Sequence, residues 1–354
     1  MRPTGRSLSE RPVRLLAGLA GLCVLGACGL SPQLPAIPAP ESTAGSESTA
    51  SSGPLTTTPN GTTGTAESTG AATPSVPPVA PSASAPASAT PTGVSKLLVF
   101  VVENHSFDQM KAQMPYTYGL AEKFGYATEM TAIRHPSLPN YIALASGSTQ
   151  GITDDKEPAA HPIQTTSVFG AAIAAGRTAG AYADGMTGNC ELHNGGDRYV
   201  ARHNPWTYFP SERADCDKFD QPFAQFDQAV SEGRLPDIAF AIPNNCHNGH
   251  DDDCDLGDAD QWFKAQMTKV LAGPDYRSGR LAVVLTADED DRHSDNRVLT
   301  VVIHPSQSGR VVTQPLTHYS LSRLFSEVAH TSPLAEAQAA PSLAEAFRLP
   351  IAAG

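Results

Sequence analysis

The sequence predicts an α/β domain, an open and mostly parallel sheet with helices on both faces. Five apolar runs rich in β-branched residues alternate with helix-like patterns, as strands and crossover helices do. Three of these runs break off abruptly into polar residues, "VVEN", "IPNNCHNGHDD" and "TADEDD". All five lie in one stretch, residues 96–354, which shows no internal repeat and no second boundary and is a size that one α/β domain fills.

The elements follow in order. "KLLVFVVEN" from Lys96 is a continuous apolar run, the pattern of a parallel strand buried on both faces. Helical patterns lie around Tyr116 to Phe124, Tyr141 to Ala145 and Val168 to Ala175. A second strand is expected at Ala179 to Ala183, a third in "PDIAFAIPNN" from Pro236, a fourth in "RLAVVLTADED" from Arg280 and a fifth in "RVLTVVIHP" from Arg297. "DADQWFKAQMTKVLAG" reads as an amphipathic helix closed by Gly273, and "HYSLSRLFSEVAH" as another.

Upstream of the domain, four arginines (Arg2, Arg6, Arg11, Arg14) precede the apolar run Leu15 to Ala27. A basic region followed by a run too short to span a bilayer reads as an export signal, residues 1–28. Its ending, "LGAC", resembles a bacterial lipobox, which makes Cys28 the expected lipidation site; a plain cleaved signal is the alternative. Either way the mature chain lies outside the cytoplasm, as a membrane-anchored lipoprotein or a secreted protein. Residues 29–95 are almost entirely Ser, Thr, Pro, Ala and Gly, a composition that buries too little surface to offset ordering entropy and so predicts a disordered tether.

The net charge of −12 argues against nucleic acid as a partner. An anionic substrate would need local positive charge, for which a metal ion is one source. Beyond the signal the cysteines number four: Cys190, Cys216, Cys246 and Cys254. In an exported domain they predict disulfides, paired by proximity as Cys190–Cys216 and Cys246–Cys254, with a zinc site as the alternative.

Ligands in open α/β sheets bind outside the carboxyl ends of the strands, so the polar clusters converge on one crevice. "RHPSLPNYIALASG" adds a serine, Ser137, at a helix start. It reads either as an N-cap, with Pro139 in the first turn, or as a nucleophile beside an anion-binding helix terminus. Glu103 and Asn104 end the first strand, and Asp288 and Glu289 the fourth; such oxygen donors suit Mg, Ca or Mn, and with imidazole also Zn. A cation there would stabilise the Ser137 alkoxide. His135, His203, His250 and His318 are the candidate proton carriers and phosphoryl-oxygen donors. His161, His193, His293 and His330 read as ordinary surface or satisfied histidines, and Asp251 to Asp253 as a solvated loop rather than a calcium site.

At this point the chain resembles a known family. "VVENHSFDQ", "HPSLPNYIALASGSTQGIT", "YVARHNPWTYF", "IPNNCHNGHD…GDADQWF", "LTADEDDRHSDNRVLTVV" and "THYS" occur in the order found in bacterial phosphoesterases that group acid phosphatases with phosphatidylcholine-type phospholipases C, within the alkaline-phosphatase-like superfamily. The likeness is strongest to short secreted acid phosphatases of actinobacteria, some of which act on phosphoinositides. It implies that Ser137, in a (Thr/Ser)-x-Pro-Asn turn, is a metal-bound nucleophile that becomes phosphorylated. It also implies that Asn140 binds a phosphoryl oxygen and that Glu103, Asn104, Asp288 and Glu289 hold the metal. His135, His250 and His318 would line the phosphate site, with His203 and Asn204 as weaker candidates. Two-metal relatives have an aspartate where this chain has Cys246 and a histidine where it has Glu289, so one essential divalent ion is expected. The implied reaction is attack by Ser137, protonation of the leaving alcohol by His250 or His318, and hydrolysis of the phosphoserine by water. A phosphomonoesterase, expected as a monomer, is the leading reading; a phospholipase C-type phosphodiesterase and a non-catalytic metal- or anion-binding lipoprotein are the alternatives.

Overall fold

The first strand of the structure, a computed structural model that describes residues 93–354, sits where its continuous apolar run places it, at the centre of an eight-stranded sheet. The strands are β1 (Lys96–Val102), β2 (Gly125–Ala127), β3 (Met130–Thr131), β4 (Ala179–Ala183), β5 (Asp220–Pro222), β6 (Ile238–Ile242), β7 (Leu281–Ala287), β8 (Thr300–Ile303), β9 (Arg310–Val312) and β10 (Leu316–Thr317). The main sheet runs β5-β4-β6-β1-β7-β8-β2-β9, and β3 and β10 form a separate parallel pair. From β5 to β7 all neighbours are parallel; β8 alone is reversed, antiparallel to both β7 and β2. The expected fifth strand is thus antiparallel, and the link from β7, residues 288–299, holds no helix of the kind that usually carries a parallel crossover. The export signal, the tether and Cys28 lie outside the described residues.

The helices are α1 (Phe107–Gln113), α2 (Pro115–Lys123), α3 (Ser137–Ser146), α4 (Val168–Ala174), α5 (Arg213–Phe219), α6 (Phe226–Ser231), α7 (Leu256–Ala272), α8 (Pro274–Arg277), α9 (His318–Ala329) and α10 (Leu343–Phe347). They cover both faces, and the register shows how. Val99 of β1 pairs with Phe240 of β6, and Phe100 with Ala241, so Phe100 and Phe240 point to opposite faces. Phe100 packs edge-on against Phe226 of α6 and Phe263 of α7, while Phe240 stacks on Phe325 of α9 and meets Phe169 of α4. Helix α3, buried along its whole length, packs against α9 and α4 over the second of these faces.

Both expected disulfides are present, Cys190–Cys216 and Cys246–Cys254, so the cysteines are not available to a zinc ion. Helix α7 starts at Leu256, earlier than its apolar pattern suggests, because Asp255 caps it by accepting the Gly257 and Asp258 N–H groups.

Candidate active site

Strands β1 and β7 are neighbours, with Val102 paired to Ala287, so their C-terminal residues leave the sheet side by side. That register brings Glu103 and Asn104 to Asp288 and Glu289. The Asn104 N–H donates to Asp288 Oδ1 at 3.0 Å, and Asn104 holds a left-handed φ of 52°, a conformation asparagine tolerates better than most residues. Glu103, Asp288 and Glu289 are all buried.

Ser137 reaches this cluster from the start of α3, and here the cap expectation needs correcting. Pro136 occupies the N-cap position and Ser137 is the first helical residue, so its hydroxyl makes no capping bond. Instead Ser137 Oγ donates to Glu103 Oε2 at 3.0 Å and lies 3.4 Å from Asn104 Oδ1. The capping work is done elsewhere: the Leu138 N–H, next to Ser137, donates to Asp155 Oδ1 at 2.9 Å.

Glu103 is the hub. Its Oε1 accepts the Tyr141 hydroxyl at 2.7 Å and lies 2.9 Å from His203 Nε2, whose ring stacks on Tyr141. Burial pushes the Glu103 carboxyl up, but His203, Arg202 and the Tyr141 hydroxyl outweigh it and hold the group down at about 2. His203 is lowered by burial, with Glu103 opposing. Asp288 is pushed well above the usual carboxylate range by burial, with Glu103 and Glu289 adding to it. Burial, then Glu103, likewise raises Glu289 to about 8. Three carboxylates crowded into a dry site cannot all ionise unless a cation joins them.

The residues present fit such a cation. Asp288 Oδ2 is buried without a hydrogen-bond partner, and so is His318 Nδ1. His318 Nε2 donates to the Asp288 carbonyl at 2.6 Å, which leaves Nδ1 a bare lone pair, and burial pushes this imidazole down to about 4. Burial favours the neutral form of His318, which leaves Nδ1 as an acceptor.

His135 lies between two carboxylates, with Nδ1 3.0 Å from Glu289 Oε2 and Nε2 3.1 Å from Asp290 Oδ1. It lines an open cavity of about 360 Å³ with Asp290 and Arg292. His250 sits on the other side, its Nε2 accepting from Arg202 Nη2 at 3.1 Å, with its ring 6.2 Å from that of His203. Asn140 is at the cluster but spent on the turn: Oδ1 accepts the Ile133 and Arg134 N–H groups, and Nδ2 bonds the Arg134 carbonyl and lies 3.3 Å from Glu289 Oε2. Asn204 is not brought in. Its amide donates to Asp220 and Tyr199, so it braces the Cys190–Cys216 region instead of facing Ser137.

Sequence reasoning missed Tyr141, Asp155, Arg202 and Asp290. Arg202 stood beside His203 in "VARHNP", and Asp290 followed Glu289, so adjacency to a candidate was the available signal. Asp155 carried none.

The profile described as "Phosphoesterase family" matches residues 110–330. The chain belongs to the phosphoesterase family. As such it is a hydrolase of phosphate esters. The phosphoesterase is 25% identical over 244 residues to a phosphatidylinositol-3-phosphatase of Mycobacterium tuberculosis, covering 68% of this chain and 79% of that one. It is 26% identical over 218 residues to a probable acid phosphatase of Kluyveromyces lactis, covering 59% of this chain and 51% of the relative. It is 28% identical over 214 residues to a phosphate-repressible acid phosphatase of Penicillium chrysogenum, covering 57% and 51%. Among solved structures, a protein in the alkaline phosphatase superfamily from Vibrio parahaemolyticus aligns with a TM-score of 0.47 at 11% identity, covering 68% of this chain and 67% of that one.

Proposed function

We propose that the phosphoesterase is an extracytoplasmic, divalent-metal-dependent phosphomonoesterase of acid phosphatase type that works through a phosphoserine intermediate on Ser137. The observation that carries this reading is the buried Ser137 hydroxyl, bonded 3.0 Å to Glu103 in a carboxylate cluster that leaves Asp288 Oδ2 unpartnered. A serine with no such cluster would be a helix start and nothing more.

Glu103, Asn104, Asp288, Glu289 and Ser137 would hold one cation, Mg, Mn, Ca or Zn. When bound, it supplies charge that stabilises the serine alkoxide and polarises a phosphoryl oxygen. The protein's own groups do the rest. Glu103 accepts the hydroxyl hydrogen bond and so aims Oγ, which gives up its proton through Glu103 to water as it attacks phosphorus in line and the bond to the alcohol breaks. An imidazole flanking the cluster, His135 or His250, delivers the proton to the leaving oxygen. Arg202, half-buried behind His250, adds positive charge beside the phosphoryl group. Water then splits the phosphoserine and restores Ser137.

Two disulfides support a location outside the cytoplasm, in agreement with the basic and apolar N-terminus and with Cys28 as a lipid-anchor site. The relative named for phosphatidylinositol 3-phosphate puts phosphoinositides among the organic phosphates to try.

The test compares a nitrophenyl phosphate monoester with the bis ester, with and without a chelator, for the wild type and Ser137→Ala. Monoester turnover should be lost on chelation, and should fall by about 1,000-fold or more in Ser137→Ala. Turnover that survives both treatments refutes the mechanism, a preference for the bis ester replaces it with a phosphodiesterase, and no turnover of either favours a binding protein.

A further inference from the structure

A half-enclosed cavity of about 460 Å³ lies at the β4–β5 edge of the sheet, with β6 between it and β1. Its walls are mostly apolar, with Tyr182 of β4 and Phe219 of α5 prominent among them. Phe219 is 44% exposed, one of two large apolar side chains so exposed among the described residues. The polar lining is one-sided in charge: two guanidiniums, Arg177 and Arg234, with glutamine amides such as Gln225 and Gln228, and no carboxylate. In a chain of net charge −12 that is a local reversal of sign.

Tyr182 is 5% exposed, packs edge-on against Phe226 and forms part of the cavity wall. Burial pushes the phenol up to about 12, with Arg234 opposing, so it stays an O–H donor. The Arg177 guanidinium is also without a side-chain partner among the described residues, whereas Arg234 contacts Glu232 along one edge.

We infer that this cavity binds a small amphipathic anion, its apolar body against Tyr182 and Phe219 and its charged head held by Arg177, Arg234 and the Tyr182 hydroxyl. The site is separate from the Ser137 cluster. The same chemistry could be a soluble organic anion or the headgroup and first methylenes of an anionic lipid.

Titration of the full chain with 8-anilino-1-naphthalenesulfonate, in saturating inorganic phosphate to fill the catalytic site, should show one saturable site. Arg177→Gln and Arg234→Gln should each weaken it by about tenfold, the scale of one charge-assisted hydrogen bond. Tyr182→Phe, which keeps the ring and the packing, should weaken it by a few-fold. Displacement by octanesulfonate with no retention on phosphatidylglycerol vesicles assigns the site to a soluble anion; vesicle retention lost in Arg177→Gln assigns it to lipid. Unaltered probe binding in the Arg177→Gln/Arg234→Gln double variant, or many weak non-saturating sites in the wild type, overturns the inference.

Discussion

At the scale of single residues, the chemistry of this protein is a matter of which buried charges have partners. Asp220 shows the principle away from the reaction centre. It is fully buried, takes one bond from Asn204, and burial raises its carboxyl to about 7 against the opposing effects of Asn204 and Arg213. A carboxyl whose folded pKa lies above its unfolded value near 3.9 favours the protonated native state. Its contribution to stability is therefore complete below about pH 4 and is lost as pH rises to 7, by on the order of 4 kcal/mol. Asp220→Asn keeps an acceptor for Asn204 and removes the ionisation, so its melting temperature should exceed the wild type's at pH 8 and converge with it at pH 4. Thermal unfolding across that range checks this; parallel curves would contradict it. Such residues were illegible in the sequence. Asp220 and Asn204 meet only because β5 folds back beside the Cys190–Cys216 bridge, and Asp155 reaches the Leu138 N–H from a loop with no pattern of its own. Glu103, Asn104, Asp288 and Glu289 were legible because each directly follows an apolar run, and the end of a strand is a local signal.

At the scale of elements, α3 is the part on which the site depends, since it carries Ser137 into the carboxylates. Its far end is fixed by Gly147 at φ 67°, where an added Cβ would come within 2.2 Å of the Leu334 carbonyl oxygen. The Gly147 carbonyl in turn accepts the Glu336 N–H at 2.9 Å, so this end of α3 is tied to the C-terminal segment. Gly147→Ala should lower stability by about 1–3 kcal/mol from backbone strain alone, more with the clash, and should lower kcat as α3 shifts. Denaturant unfolding and kcat on one preparation test this; a normal midpoint with normal kcat would contradict it. The long strands and α2, α4, α7 and α9 were readable from apolar runs and 3.6-residue periodicity. The two- and three-residue strands β2, β3, β5, β9 and β10 were not, because a stretch that short has no period and is set by its partners. Residue periodicity could not give the reversal of β8 either; strand direction is decided by the connection, not by side-chain pattern.

At the scale of the whole molecule, the fold is an α/β scaffold whose central strands deliver the acids, with loops stapled around them. Cys246–Cys254 closes the loop that presents His250, and Cys190–Cys216 closes the one behind Asn204 and Asp220. By loop-closure entropy each bond contributes about 3 kcal/mol. Replacing Cys246 and Cys254 with serine should cost that much and also reduce kcat/KM, whereas Cys190→Ser/Cys216→Ser should cost stability with a smaller kinetic effect. Urea unfolding and steady-state kinetics of the two pairs check the contrast, which equal kinetic losses would contradict. These elements place a rigid frame around Ser137, and the proposed mechanism turns on its phosphorylation. The direct measurement is rapid acid quench of the enzyme during turnover of a phosphate monoester, followed by mass spectrometry of the peptides. The account predicts a phosphoryl group on Ser137 that appears within one turnover and disappears when substrate is exhausted; full turnover with Ser137 unmodified, or with the phosphoryl group on another residue, would contradict it.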